Sequence, residues 1–292
     1  MKRKNIIIKL LTIITMFFLL NNNNVIKAKV TTKTTTVSKA KKIVYTYNSK
    51  YSNYYNNQKI LSKKTTYTYY SNKKLKSKQI KYYNKYSQYY KTTTISYNKK
   101  GIKIKTKTKL VKYLYNRVER KSFYQLYQAI YKKNNNNIYV YTDNYNAKEK
   151  KYIKKAITNI NNVSGRTGKK TGKKANFKLV LTNNKNKANI IALTSNKIYR
   201  VNNATVLGQF KTNVAKKLVY VTRFTKTNDK NPLSTYIHEL GHTLGMGHYV
   251  NISKNGNPKN VVSNNASIMG YNNISKPTIN DTKELQYLYG KY

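Results

Sequence analysis

The sequence predicts an α+β protein built in two parts, and three observations lead there. Residues 29–137 are rich in Tyr, Lys, Thr, Ser and Asn and contain a segment that alternates with period two. From Ile138 onward, aliphatic strand segments and helical repeats mix. The stretch HELGHTLGMGH, at 238–248, holds all three histidines of a 292-residue chain. The expected organisation is a leader at 1–28, a basic Tyr/Lys-rich region at 29–137 and a mixed α+β domain at 138–292.

The leader begins with the positive MKRKN, followed by IIIKLLTIITMFFLL (6–20), an apolar run interrupted only by Lys9. The asparagines at 21–24 end the run, and Ala28 stands where a signal peptidase could cut. This is the layout of a secretory signal peptide. The run falls short of the roughly 20 residues of a membrane span, and no later segment could cross a membrane. A secreted protein, extracellular or held at the cell wall, is expected.

In 29–137 the single acid is Glu119. Tyr-led units recur from Tyr54, Tyr69, Tyr82 and Tyr97, a hairpin-scale period. Each reads as a strand end, an Asn/Lys/Gly turn and an alternating strand, and IKIKTKTKL (102–110) alternates cleanly. An antiparallel β segment is expected, with a solvated basic tether as the competing reading. VKYLYNRVERKSFYQLYQAIYKK (111–133) has helix-like spacing, and KNNNN (133–137) reads as a linker.

The formal net charge is +52, from 59 Lys+Arg against 7 Asp+Glu, so most cations lack an acidic partner. Such a surface attracts polyanions: cell-wall polymers, anionic membrane surfaces or nucleic acid. An AT-rich genome raises Lys, Asn, Ile and Tyr together but does not account for the shortage of acids. Export argues against nucleic acid as the main partner. The chain has no cysteine, which excludes disulfides, thiolate metal sites, cysteine nucleophiles and a cysteine-based latch.

In 138–292, IYVYTD (138–143), FKLVLT (177–182), ANIIALTS (188–195), TVLGQF (205–210) and LVYVTRF (218–224) read as strands. AKEKKYIKKAITNINNVSG (147–165) places Ile153, Ala156, Ile157 and Ile160 on one helical face. PLSTYIHELGHTLG (232–245) reads as a helix opened by Pro232 and ended by Gly245. SIMGY (267–271) is a tight turn. DTKELQYLYG (281–290) is a closing helix, with Asp281 and Glu284 expected to form its capping box.

On a helix, His238 and His242 lie one turn apart on the same face. Glu239 points about 100° around the axis, so it can reach a water at the metal without being a ligand. A left-handed Gly245 lets the chain turn back and bring His248 to the same ion, and Gly247 is read as adding freedom. Three imidazoles suit Zn²⁺ and leave a position for water. The chemistry implied is amide hydrolysis, with Glu239 taking a proton from water and passing it to the leaving nitrogen.

These residues resemble the metzincin signature, His-Glu-x-x-His-x-x-Gly-x-x-His with a downstream Met-turn. SIMGY supplies the turn, with Met269 as the methionine beneath the metal, and PTINDTKELQYLYG is similar to the last helix of the matrixin (matrix metalloproteinase-like) branch, here of the bacterial secreted type. The resemblance covers roughly 138–292. It implies a twisted mixed sheet with two long helices, the active-site helix, the Met-turn and a C-terminal helix. It also implies a secreted zinc metalloendopeptidase acting on protein or peptide substrate.

Tyr271 stands where matrixins usually carry Pro. It is read as a fifth ligand or oxyanion donor, with a place in the pocket wall as the alternative. The longer His248–Met269 spacing makes 249–265 an inserted surface loop. There are no spare histidines for a second zinc, and six acids after residue 137 are too few to suggest Ca²⁺ sites. A monomer is expected, with peptide lying beside an edge strand such as TVLGQF. The alternative function is a cell-surface polyanion-binding protein whose peptidase domain is secondary or inactive.

Overall fold

The computed structural model describes residues 30–52, 59–86, 88–116, 135–163, 175–213 and 215–289. The leader, Glu119 and most of the helix expected at 111–133 lie outside them. The described chain is α+β.

Six strands form an antiparallel meander in sequence order: β1 (Val30–Ser38), β2 (Lys41–Ser52), β3 (Lys59–Tyr69), β4 (Leu75–Tyr83), β5 (Tyr89–Tyr97) and β6 (Lys103–Leu110). The expected β segment is therefore present. Successive residues of a strand face opposite sides, so register sorts the side chains. One row across the sheet runs Lys33, Tyr45, Lys64, Lys81, Thr92, Lys109, and the same face holds Lys41, Lys105 and Lys107. The opposite face holds Val44, Ile80, Ile95, Tyr67 and Tyr82, with Lys42, Lys63, Lys78 and Lys91 as their cross-strand neighbours. Alternation thus gathers the cross-strand lysine row and the lysines of β6 on one lysine-rich face, while the other face interleaves lysines with Tyr, Ile and Val. Some ammonium groups lie over tyrosine rings, with Lys91 4.4 Å from the centre of Tyr82 and Lys64 5.3 Å from that of Tyr45. The last strand, β6, is exposed along its whole length, and its alternating lysines oppose pairing of that edge with another sheet.

A short strand follows, β7 (Tyr113–Tyr115), where helix was expected. The second sheet is built from β8 (Asn137–Asp143), β9 (Lys178–Leu181), β10 (Ile190–Ser195), β13 (Gly208–Asn213) and β14 (Leu218–Phe224), in the order β13-β14-β10-β8-β9. Its pairs are parallel except β13 with β14, so Gly208–Asn213 is an antiparallel edge strand. The expected strand TVLGQF is in fact divided. Ala204–Val206 (β12) pairs with Tyr199–Val201 (β11) in a separate hairpin, and the chain then joins the sheet at Gly208.

Helix α1 (Ala147–Asn161) buries Ile153, Ala156, Ile157 and Ile160, the predicted face, and packs against helix α2 (Pro232–Thr243). Asn146 caps α1 by accepting from Glu149 N. Helix α3 (Ile279–Tyr289) closes the chain. Its capping box sits three residues before the expected one. Thr278 N donates to Asp281 Oδ2 at 2.6 Å, and Asp281 N donates back to Thr278 Oγ1 at 3.4 Å. Asp281 is therefore inside the first turn, and its carboxylate, besides capping the helix, reaches Ser267 and Ile268. The expected loop 249–265 is a hairpin, β15 (Tyr249–Ile252) and β16 (Pro258–Val261), to which β7 adds as a third strand. That pairing crosses the boundary expected at residue 137. Among the described residues no helix is long and apolar enough to cross a membrane.

The scarce acids are kept inside. Of the six acids after residue 137, Glu149, Glu239, Asp281 and Glu284 are buried, and the side chain of Asp229 is 2% exposed. Arg223 joins two of them, with Nη1 2.9 Å from Glu149 Oε1 and Nε 3.1 Å from Asp229 Oδ2. Glu149 also accepts from Tyr236 Oη, and Asp229 from Thr235 Oγ1, so β14, α1 and α2 are locked together. Arg223→Met leaves two buried carboxylates without their cation. Urea denaturation is expected to register a loss of about 3–5 kcal/mol.

Candidate metal centre

Helix α2 starts at Asn231, whose side chain accepts from Ser234 N, with Pro232 in the first helical position. It ends at Leu244. Gly245 then takes φ +85°, and Met246 N returns to Gly241 O at 3.1 Å. This left-handed residue reverses the chain and lets His248 face the helix it has just left.

The three imidazoles converge. Ring centres lie 4.8 Å apart for His238 and His242, 4.7 Å for His242 and His248, and 5.3 Å for His238 and His248. One ligand atom from each lies within 4.8 Å of the others. Their orientation is set from behind. His238 Nδ1 is 2.8 Å from Ile268 O, and His242 Nδ1 is 2.9 Å from Met246 O. A carbonyl can only accept, so each Nδ1 is the protonated nitrogen, and Nε2 keeps its lone pair for a ligand role. Burial, then the neighbouring His238 and His248, push His242 well below the usual imidazole range. It is therefore neutral at pH 7, as a metal ligand must be. Three imidazoles with a common focus, two of them with the tautomer set by a carbonyl, fit a zinc ion.

Glu239 lies beside them, buried, and desolvation raises its carboxyl to about 8. It lines an open cleft of about 950 Å³ together with the three histidines. The other wall is the edge strand β13, where Phe210 packs 5.7 Å from the His242 ring. At Gly208 of that strand, a Cβ would lie 2.9 Å from Glu239 Oε1, so the backbone closes on the carboxylate.

Met269 is fully buried beneath α2. A Cβ on Gly241 would stand 2.4 Å from its sulfur, so a glycine between the two helical histidines lets the methionine seat there. The turn that carries Met269 is held by Asp281. Oδ1 accepts from Ser267 Oγ at 2.5 Å, and Oδ2 from Ile268 N at 3.1 Å. Ile268 O in turn orients His238. Tyr271 is 62% exposed at the cleft mouth, its ring 5.4 Å from that of His248.

Two features of the site were missed by sequence reasoning. Asp281 was read only as a helix cap, although burying one of so few acids is itself a signal. Gly247 was read as a source of freedom, but its φ is not left-handed. Its requirement is space, because a Cβ there would lie 1.7 Å from the carbonyl oxygen of Asn116. No family model matches the chain, and a search of curated proteins finds no match.

Proposed function

We propose that the protein is a secreted zinc-dependent endopeptidase of the metzincin type, closest in pattern to the matrixin branch. The observation that carries this reading is the common focus of His238, His242 and His248, each on its own support, beside a buried glutamate in an open cleft. The left-handed Gly245 and the methionine seated under Gly241 support it as well. Zinc on the three histidines would supply a Lewis acid that makes water a better nucleophile at neutral pH and polarises a substrate carbonyl.

The chain's own residues do the rest. Peptide adds as a further strand to the free edge of β13, where backbone N–H and C=O groups fix its direction. Glu239, beside the three histidines, takes a proton from water and delivers it to the departing amine nitrogen. Tyr271, at the rim beside His248, is the candidate fifth ligand or oxyanion donor. The test is metal content by mass spectrometry with cleavage of a general protein substrate. About one zinc per chain is expected, together with cleavage that stops on chelation and returns on adding zinc. A folded chain that takes up no zinc defeats the proposal.

A second reading rests on the lysine-rich face of the N-terminal sheet. Lys64 and Lys81 are direct cross-strand neighbours, a like-charge pairing that costs stability unless an anion sits between them. This face suits an anionic surface polymer and would hold the enzyme at the cell wall. Retention on phosphate-rich wall polymer should fall steeply between low salt and ~0.5 M salt, where charge interactions are screened over a few Å. Retention that is unchanged in high salt rules the tether out.

A further inference from the structure

The stretch 113–116 belongs in sequence to the basic N-terminal region, yet it is built into the metal centre. Tyr115, Leu114 and Tyr113 pair with Tyr249, Val250 and Asn251, the strand that leaves His248. Asn116 N donates to His248 O at 2.7 Å. On the other side of this contact, the Asn116 carbonyl occupies the space that Gly247 leaves open. The backbone on either side of the third histidine is therefore formed against residue 116.

The side chain of Tyr115 reaches further. It is 6% exposed and lies in the main core, with its ring 4.8 Å from that of Tyr249. Its hydroxyl donates to Asp281 Oδ1 at 2.7 Å and lies 3.2 Å from Ser267 Oγ. The same carboxylate holds Ile268 N, and Ile268 O holds His238 Nδ1. One segment thus supports His248 through its backbone and His238 through a chain of three hydrogen-bonded groups.

The six-stranded sheet is fastened to the same place. Gln88 Nε2 donates to Tyr115 O at 2.8 Å, and Asn84 Nδ2 donates to Gly256 O at 3.2 Å. The Tyr90 ring lies where a Cβ on Gly256 would be, at 2.8 Å. An inhibitory pro-segment covers a cleft from outside and leaves when cut. This segment instead contributes a core tyrosine, a sheet strand and a backbone contact to a ligand.

We propose that the N-terminal region through Asn116 is a permanent part of the folded unit that carries the three histidines rather than a detachable pro-segment, and that Tyr115 is a positioning residue for His238, acting through Asp281 and the turn at Ile268. The second half of this proposal rests on the zinc reading. The first half does not.

Two measurements on the intact chain test it. In the first, a specific protease site is placed between residues 117 and 134 and cut. The two pieces are expected to co-elute in size-exclusion chromatography without denaturant. Separation into two species, the C-terminal one folded, overturns the permanent role. In the second, Tyr115→Phe removes only the hydroxyl, and Tyr113→Phe is the control, its ring also packed on Tyr249. Tyr115→Phe is expected to weaken zinc binding by about 10-fold or more and to shift the visible spectrum of the cobalt-substituted protein, while Tyr113→Phe does neither. Parent-like zinc affinity and cobalt spectrum in Tyr115→Phe overturn the positioning role. A parent chain that binds no zinc overturns the positioning role together with the metal reading, and co-elution of the cut chain then decides the first half by itself.

Discussion

Glu239→Gln is expected to lower kcat/KM by at least about 10²–10⁴ while leaving one zinc per chain and an unchanged melting curve. Glu239 is the only acid among the residues that line the cleft. The three histidines are oriented as ligands, with the Nδ1 atoms of two of them engaged by carbonyls. No second base stands ready to take over. The amide of glutamine keeps the shape against Gly208 and Thr235 but cannot accept a proton from water at neutral pH. Steady-state cleavage and metal analysis on the same sample separate the outcomes. Lost activity with retained zinc supports the proton-transfer role. Activity within a few-fold of the parent would remove Glu239 from the chemistry.

Asp281→Ala should lower stability as strongly as Arg223→Met, on the order of 3–5 kcal/mol in urea denaturation, and should also weaken zinc binding about 10–100-fold. The carboxylate is fully buried and accepts from Tyr115 Oη, Ser267 Oγ, Ile268 N, Thr278 N and Thr278 Oγ1. Alanine leaves the buried donors Tyr115 Oη, Ser267 Oγ and Ile268 N unpaired, where each costs about 1–3 kcal/mol less whatever relaxation recovers. The loss spreads because Ile268 orients His238. A stability loss with unchanged zinc affinity would show that the turn does not govern the ligand. Full stability would mean that the donors find other partners.

Some of this is legible in the residues and some is not. The helix, its Pro232 start, its Gly245 end and the convergence of His238 with His242 follow from spacing within a few positions. The face of α1 follows from periodicity in the same way. Strand β7 does not, because VKYLYNRV has helix-like spacing, and what makes 113–115 a strand is the exposed edge of Tyr249–Ile252 beside it. TVLGQF reads as one strand, since nothing local marks the change of partner at Leu207. The shifted capping box has a similar origin. Asp281 and Glu284 have the right spacing, but Thr278 and Asp281 have it too. The turn at Ser267 and Ile268 selects the second arrangement by drawing the Asp281 carboxylate inward.

The sequence by itself determined the groups available: three imidazoles and one glutamate within eleven residues, and a surface dominated by cations. Those conclusions rest on residue identity and on interactions within one or two turns of chain, where backbone geometry leaves little choice. Only the tertiary structure decided what supports those groups. Tyr115 and Asp281 stand 166 residues apart, and no local rule pairs them. Likewise the register of six strands, not their composition, collects Lys33, Lys64, Lys81 and Lys109 in one row. Pairings across long stretches of chain are chosen by which buried groups can satisfy one another, and that choice exists only once the core has formed.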